Sequence, residues 1–495
     1  MEEDRGFAAI VSNPPFQGGS KITGPLGTDY RDYLVGHLAQ GKRGRADLCA
    51  YFFLRASSLV CLGGMCGLLA TNTIAQGETR EVGLEQIEAT GWTVLRAVST
   101  RRWPGTASLE VAHIWLRRGY WHGPYLLDEK LVEGITPFLS PLGVEQGKLY
   151  ALITNANKSF EGSKVGGRGF VLDPEDAQVL LARHPRNRDV LFPYLNGEDL
   201  NTRYDQSPSR WVINFHDWPL GQAETYIDCI SIVQEKVKPE RIKNNRQAYR
   251  ERWWQYGERR PGLYSAIAGM KRVLVCPKVT KYLSFHFVAT GQVFMDKLYV
   301  FPFDKDQYLA LLNSSFHDNW ARKYSGTLGN TLQYAPTDCF ETFPFPNNME
   351  VLDVIGKCYN QHRQSIMLSR QEGLTKTYNR YHDPQEMAED IVQFRTLHKE
   401  MDEEVAKAYG WGDLILGHSF HETKQGLRYT ISEEARREVL GRLLRLNHER
   451  YAEEVTLGLH EKGAKKGKGK RSIGKRNEMG KGQDGVGEQG ELVFE

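Results

Sequence analysis

Residues 7–12, Phe-Ala-Ala-Ile-Val-Ser, are small or β-branched and read as a buried strand, and Asn13-Pro14-Pro15-Phe16 stops that strand at once. Proline has a fixed φ and no amide donor, so it cannot feed a central ladder. The chain therefore leaves the sheet carrying a polar amide, two rigid rings and an aromatic at the strand's end. The next hundred residues complete a pattern. Residues 17–45 are rich in Gly, Lys and Arg and read as a long loop. Residues 46–60 place Leu48, Tyr51, Phe52, Ala56 and Leu59 on one helical face. Gly63-Gly64 turns the chain into a strand over 65–71, and residues 80–91 read as a helix closed by Gly91. Residues 93–99 and 109–118 read as two further strands. The order β, α, β, α, β, β is one half of a doubly wound sheet ending in a hairpin-like pair.

Beyond this partial Rossmann-like α/β sheet the pattern changes. Residues 131–346 are irregular, with short strands, turns and many aromatics, and predict a mixed α/β domain. Residues 347–460 predict a helical region, with Met387, Ile391, Phe394, Leu397, Met401, Val405 and Ala408 recurring at steps of three and four. Ser432 before Glu433 and Glu434 predicts the start of a last helix carrying Val439, Leu440, Leu443 and Leu444. Residues 461–495 hold almost no apolar side chains and predict a disordered basic tail. The expected division is thus 1–130, 131–346, 347–460 and 461–495, with no internal repeat.

Composition narrows the class. A chain of 495 residues, 40% apolar, with a net charge of +3, is ordinary globular material, so net charge alone does not announce nucleic acid. Seven cysteines without a Cys-x-x-Cys pair predict a reducing, cytoplasmic setting and no disulfide framework. The acidic start Met1-Glu-Glu-Asp-Arg lacks the apolar core of a signal peptide, and no apolar run is long enough for a membrane span.

The amide–proline–proline–aromatic turn suits a particular chemistry. The exocyclic nitrogen of adenine is a poor nucleophile because its lone pair is delocalised into the ring. Two acceptors aimed at its amino protons, the Asn13 side-chain oxygen and the Pro14 carbonyl, would draw it toward tetrahedral geometry. Pro14 and Pro15 hold that carbonyl's direction, which is preorganised electrostatic stabilisation. Phe16 offers a flat face to a base taken out of the duplex.

The segment IVSNPPF at a strand end resembles motif IV of the adenine-N6 DNA methyltransferases. RADLCAYFFLRASSLVCLGGMCGLLATNTIAQGETRE (45–81) resembles motifs V and VI of their gamma class. STRRWPGTASLEVAHIWLRRG (99–119) resembles motif VIII. YAPTDCFETFPFP (334–346) resembles the segment closing the target-recognition domain of type IIG enzymes, type IIL (MmeI-like) enzymes and the DISARM phage-defence methylase. VAKAYGWGDL (405–414) is typical of them too. The resemblance spans residues 7–455 and implies site-specific methylation of adenine in restriction-modification or phage defence, with S-adenosylmethionine as methyl donor and double-stranded DNA as partner. It implies that Trp103 stacks on the face of the flipped base opposite Phe16, and that Asn13 and Asp47 border the cofactor.

One departure is large. The family binds its cofactor through motif I, a strand and Gly-rich turn upstream of motif IV, and twelve residues precede Asn13 here. GGRGF (166–170) follows no apolar run and reads as a loop, and GGMCG (63–67) is a turn. The expectation is therefore the C-terminal part of a split or truncated enzyme, needing an N-terminal polypeptide that carries motifs I to III. The rival is a non-catalytic DNA-specificity subunit. Methylation of RNA or of protein glutamine also uses Asn-Pro-Pro-aromatic, but the long domain after motif VIII speaks against it.

KVKPERIKNNRQAYRERWWQYGERR (236–260) interleaves cations with aromatics. Lys243, Arg246, Arg250, Arg252, Arg259 and Arg260 are the candidate DNA contacts, while Trp253, Trp254 and Tyr256 can either stack or anchor the segment in a core. AKKGKGKR (464–471) is a flexible polycation suited to phosphate attraction or mere solubility. No metal site is expected, since His418 and His421 lack partners at zinc spacing. Asp228, Gln234 and Lys236 only faintly echo a nuclease centre, and there is no Walker A sequence.

Overall fold

A computed structural model describes residues 6–42, 45–104, 109–142, 147–328 and 331–460. The tail expected at 461–495 lies outside the described residues. The first unit is a six-stranded sheet built from β1 (Phe7–Ser12), β2 (Val60–Thr71), β3 (Trp92–Arg102), β4 (Glu110–Arg118), β5 (Tyr125–Leu127) and β6 (Lys130–Val132), in the order β1-β2-β4-β3-β5-β6. β1 and β2 are parallel; β4 runs antiparallel to both β2 and β3. The helix Leu48–Leu59 is the crossover between the parallel pair, and it buries Leu48, Tyr51, Phe53 and Ala56 in a core shared with Cys66, Leu68, Ile114 and Leu116. The α/β half-sheet expected from the hydrophobic pattern is what forms.

Several local expectations need correction. β1 is a strand, but an exposed edge rather than a buried one: β2 is its partner in the sheet, and Phe7 is 62% and Val11 86% exposed. Residues 17–45 are not a plain loop; short helical turns cover Thr23–Leu26, Thr28–Tyr33 and Leu34–Leu38. Gly63-Gly64 does not start a new strand. β2 runs through it with a bulge, the register jumping from Phe7↔Val60 to Ala9↔Met65, and Gly63 takes the positive φ the bulge needs. The helix over 80–91 is two helices, Gly77–Val82 and Leu84–Ala89, parted at Gly83.

The middle of the chain forms two four-stranded sheets and a three-stranded one. One four-stranded sheet orders Val293–Phe294, Leu191–Leu195, Arg210–Ile213 and Val171–Leu172; the other orders His286–Ala289, Arg272–Pro277, Leu298–Phe301 and Phe160–Glu161. The helices Asp353–Arg370, Glu389–Ala408 and Glu433–Thr456 come after them. Ser432 caps the last of these by accepting from the Ala435 amide, and Ile391, Phe394, Met401 and Val405 of the striped helix are fully buried. The helical region also holds a β-hairpin, Ser419–Thr423 with Gly426–Thr430, where a purely helical run was expected. One core unites Leu274 and Phe301 with Tyr359, Phe394 and Leu443, so packing is continuous across residue 346.

The segment Phe340–Pro346 is a structural weld. Phe340 and Phe343 are fully buried, and the Asn155 side chain donates to both of their carbonyls, at 3.1 and 2.7 Å. Asn447 of the last helix donates to the Thr342 and Tyr150 carbonyls, at 2.7 and 2.8 Å. Tyr409 stacks on Trp411 and donates to the Pro344 carbonyl. This accounts for the aromatic and amide content of both segments.

Candidate active site and recognition surface

β1 carries the chain to Asn13 at the carboxyl end of the parallel pair. Asn13 and Pro15 are exposed, Pro14 is buried and Phe16 is half-buried against the sheet's core. The turn is held by Asp47. Its Oδ1 accepts from the Gln17 amide at 3.1 Å and from the Cys49 amide at 3.0 Å, and the second bond caps the helix Leu48–Leu59. The Leu48 amide donates to the Gln17 carbonyl, and the Asp47 amide donates to the Thr79 hydroxyl. Asp47 therefore ties the residue after Phe16 to a helix N-terminus and, through Thr79, to the next layer. Gln17 and Thr79 are positioning residues that carry no signature in the sequence, because their part is defined only by which backbone groups come near.

Phe16 and Trp103 do come together across 87 residues of sequence. Their ring centroids are 6.2 Å apart, but the planes stand at 89°, edge to face. Two parallel plates holding a base need about twice the ~3.5 Å aromatic contact distance between them. The observed pair is thus a closed contact, and admitting a base requires Trp103 to turn. Residues 105–108, just past Trp103, lie outside the described residues. On the neighbouring turn Asp128 accepts from the Ser99 amide at 2.7 Å and from its hydroxyl at 2.8 Å, which steadies β3 four residues before Trp103.

S-adenosylmethionine does not fit the described residues as a site of their own. The Asp47 carboxylate is buried and its Oδ1 is taken by two backbone amides, so that oxygen serves the turn rather than a ligand. GGRGF is no phosphate-type turn either: a Cβ on Gly169 would lie 2.4 Å from the Cβ of Lys236, and Gly167 packs against Val237. These glycines serve close packing. Among the described residues, no strand pairs with the outer edge of β1 beside Asn13.

The basic segment resolves into structural and surface groups. Trp253, Trp254 and Tyr256 are core residues, with the Tyr256 hydroxyl donating to the Ile213 carbonyl and the Trp254 indole to the Trp218 carbonyl. Arg260, expected to contact DNA, instead forms ion pairs with Glu161 and Glu258. Arg250 is exposed but donates to the Asn244 and Asn245 carbonyls, closing its own loop. Arg241, unmarked in the sequence, is buried, donates to the Val165 and Gly166 carbonyls and lies 4.3 Å from the Tyr249 ring. Lys243, Arg246 and Arg252 are exposed and Arg259 half-exposed, on one connected stretch.

The weak signals resolve as structure. His418 donates to Asp402 at 2.8 Å in the buried helical core, and Asp228 pairs with Arg183 and Asn187. Among the described residues no three His, Cys, Asp or Glu side chains converge as a metal site, and no helix is long and apolar enough to cross a membrane. The cysteines are all free.

Comparison with known proteins agrees with both halves. Residues 151–347 match the family profile of the MmeI target recognition domain. Residues 1–89 match that of the Eco57I restriction-modification methylase. The chain resembles the MmeI-like restriction-modification methylases. Among solved structures, the type IIL restriction-modification enzyme MmeI in complex with DNA shares the fold, with a TM-score of 0.64 and 18% identity over 90% of this chain. The match covers 57% of that enzyme, so this chain spans little more than half of its length. The type IIG restriction endonuclease BpuSI (11% identity, 82% of this chain and 54% of that one) aligns with a TM-score of 0.26. The DrdV–DNA complex (10% identity, 72% and 44%) aligns with a TM-score of 0.34. Both scores are too low to define a common fold. No curated protein matches the chain in sequence.

Proposed function

We propose that the chain is the base-binding and target-recognition part of a site-specific DNA adenine-N6 methyltransferase of a restriction-modification or phage-defence system. The observation that carries this reading is the Asn13-Pro14-Pro15-Phe16 turn at the carboxyl end of β1, held by Asp47 and met by Trp103. Asn13 and the Pro14 carbonyl accept the two amino protons of a flipped adenine, and the rigid prolines keep the carbonyl aimed without reorganisation. Phe16 stacks on one face of the base. Trp103 covers the other after turning out of its edge contact. Lys243, Arg246, Arg252 and Arg259 on the recognition half meet phosphates or base edges.

In this reading S-adenosylmethionine would supply the methyl group, and strands with a Gly-rich turn beside the edge of β1 would hold it. Support for this comes from the edge itself: among the described residues β2 alone pairs with β1, and Phe7 and Val11 are exposed. These strands carry motifs I to III, on a partner polypeptide or on a longer form of the same chain. The chain works in the cytoplasm, where its free thiols stay reduced.

The test uses this chain complemented with that polypeptide. Asn13→Ala abolishes methylation of duplex DNA while specific binding stays within a few-fold of wild type, and Trp103→Ala lowers the fluorescence gain of 2-aminopurine at the target position. Full methylation by Asn13→Ala removes the catalytic assignment. Sequence-specific binding with no methylation by any complemented form favours a specificity subunit instead.

A further inference from the structure

A cavity of about 730 Å³ lies between the methyltransferase sheet and the helical region. Its sheet-side wall is Ser99, Asp128 and Lys130; its far wall comes from the end of the helix Ser315–Tyr324 and from the hairpin 419–430. The volume is within the range of sites that enclose a ligand. Its charge is one-sided. Seven cationic side chains line it against four carboxylates, and three of those carboxylates are occupied: Asp318 by Arg322, Glu433 by Arg436 and Arg437, Asp128 by Ser99. Lys130, Lys323, Lys424 and Arg428 have no carboxylate within ion-pair distance among the described residues.

The placement is as informative as the charge. Lys424 is at the tip of the hairpin and also borders Val98–Arg102, the end of β3 that leads into Trp103. Lys323 is surrounded by the cavity walls but open to the space between them. Its enclosure, and then the charges of Lys424 and Arg80, hold its ammonium below the usual lysine range. Arg428 packs on Tyr282, 4.9 Å from the ring centroid, which fixes its guanidinium without neutralising it. Like charges brought together from a helix and a hairpin repel one another until an anion is bound. Three preset cations in one cavity, one of them, Lys424, beside the end of β3 that leads into Trp103, match the phosphodiester backbone of a nucleic acid strand entering the base site.

We infer that this cavity is the seat of two consecutive DNA phosphates beside the flipped base, gripped by Lys323, Lys424 and Arg428, with the hairpin 419–430 as a clamp joining the helical region to the methyltransferase sheet. The inference rests on the proposed DNA methyltransferase function. It adds a contact surface separate from the basic segment 236–260.

The experiment measures binding of the full chain to a short duplex as a function of salt. Loss of two phosphate contacts flattens the slope of log K against log salt by about two, at ~0.9 per phosphate. The triple variant Lys323→Gln, Lys424→Gln, Arg428→Gln is expected to show this change. A control triple of exposed lysines elsewhere, Lys305→Gln, Lys357→Gln, Lys376→Gln, removes the same charge and leaves the slope as in wild type. Lys424→Gln alone, at an exposed hairpin tip that tolerates the change, flattens the slope by ~0.9 and guards against misfolding of the triple. A wild-type slope in folded Lys424→Gln, or equal flattening in the control triple, overturns the clamp. If the clamp fails but Lys243→Gln with Arg252→Gln still lowers affinity, the DNA reading stands. If the wild-type chain shows no salt-dependent binding, both fall.

Discussion

The two parts Asp47 could play, cofactor ligand or backbone tie, separate in a single measurement. Asp47→Ala removes the acceptor for the Gln17 and Cys49 amides at 3.1 and 3.0 Å. Losing an N-cap costs about 1 kcal/mol, and a buried amide left without its charged acceptor costs about 1–3 kcal/mol. These contributions overlap, so about 2–3 kcal/mol is expected for opening the segment from Gln17 to the first turn of the helix. At ~1.4 kcal/mol per tenfold, amide protection there should fall by about 30- to 150-fold. Asp47→Asn keeps a side-chain oxygen at a position where Asn caps as well as Asp, and should cost under ~1 kcal/mol. The assay is native-state hydrogen exchange read by mass spectrometry on peptides covering residues 14–22 and 46–59. It is local, which matters because a chain with several cores does not unfold in two states. Unchanged exchange in Asp47→Ala, with S-adenosylmethionine binding of the complemented enzyme lost equally in Ala and Asn variants, would refute the tie and restore Asp47 as a cofactor ligand.

Arg260→Ala should leave the salt slope of DNA binding unchanged and lower thermal stability, since Arg260 is tied to Glu161 and Glu258; Lys243→Ala with Arg252→Ala should do the reverse, as comparative melting and binding will show. Burial pushes the His317 imidazole down to about 3, and burial with the nearby Arg363 charge pushes His286 well below the usual histidine range. The unfolded chain therefore binds more protons below about pH 6.5, so stability is complete above that pH and declines as pH falls toward about 3, by up to ~1.4 kcal/mol per pH unit for each histidine. Urea midpoints at pH 7 and pH 5 should differ, and His317→Gln should narrow the gap. Titration calorimetry of S-adenosylmethionine into this chain alone should show weak or no binding; micromolar affinity would reveal a cofactor site among these residues. Deleting residues 462–495 should flatten the salt dependence of non-specific DNA binding without altering site preference, because polycations without base contacts touch only phosphates.

What the amino-acid order determined by itself is whatever depends on near neighbours. The strand 7–12, its halt at Pro14, the crossover helix, the antiparallel pair β3–β4 and the apolar stripe Ile391–Val405 all arise from periodicity and proline geometry, which act over a few residues. So does the pairing of an amide oxygen with a proline-fixed carbonyl at Asn13 and Pro14, since the two residues are adjacent. Placement decided the rest. β1 reads as buried because its residues are apolar; its exposure depends on which strands lie beside it, which local composition cannot encode. Gly63-Gly64 reads as a turn from its residues alone, but becomes a bulge because β1 pairs with β2 both before it, at Val60, and after it, at Met65. Arg260 and Lys243 look alike in a basic run, and only the approach of Glu161, 99 residues away, makes one a structural ion pair. The cavity cations have no signature at all: Lys130, Lys323 and Lys424 sit in three unremarkable contexts, and their shared field exists only once the sheet and the hairpin face each other. Coulomb interactions and ring contacts act through space, so tertiary structure alone could turn Phe16 and Trp103 into an edge-on pair and scattered lysines into one basic seat.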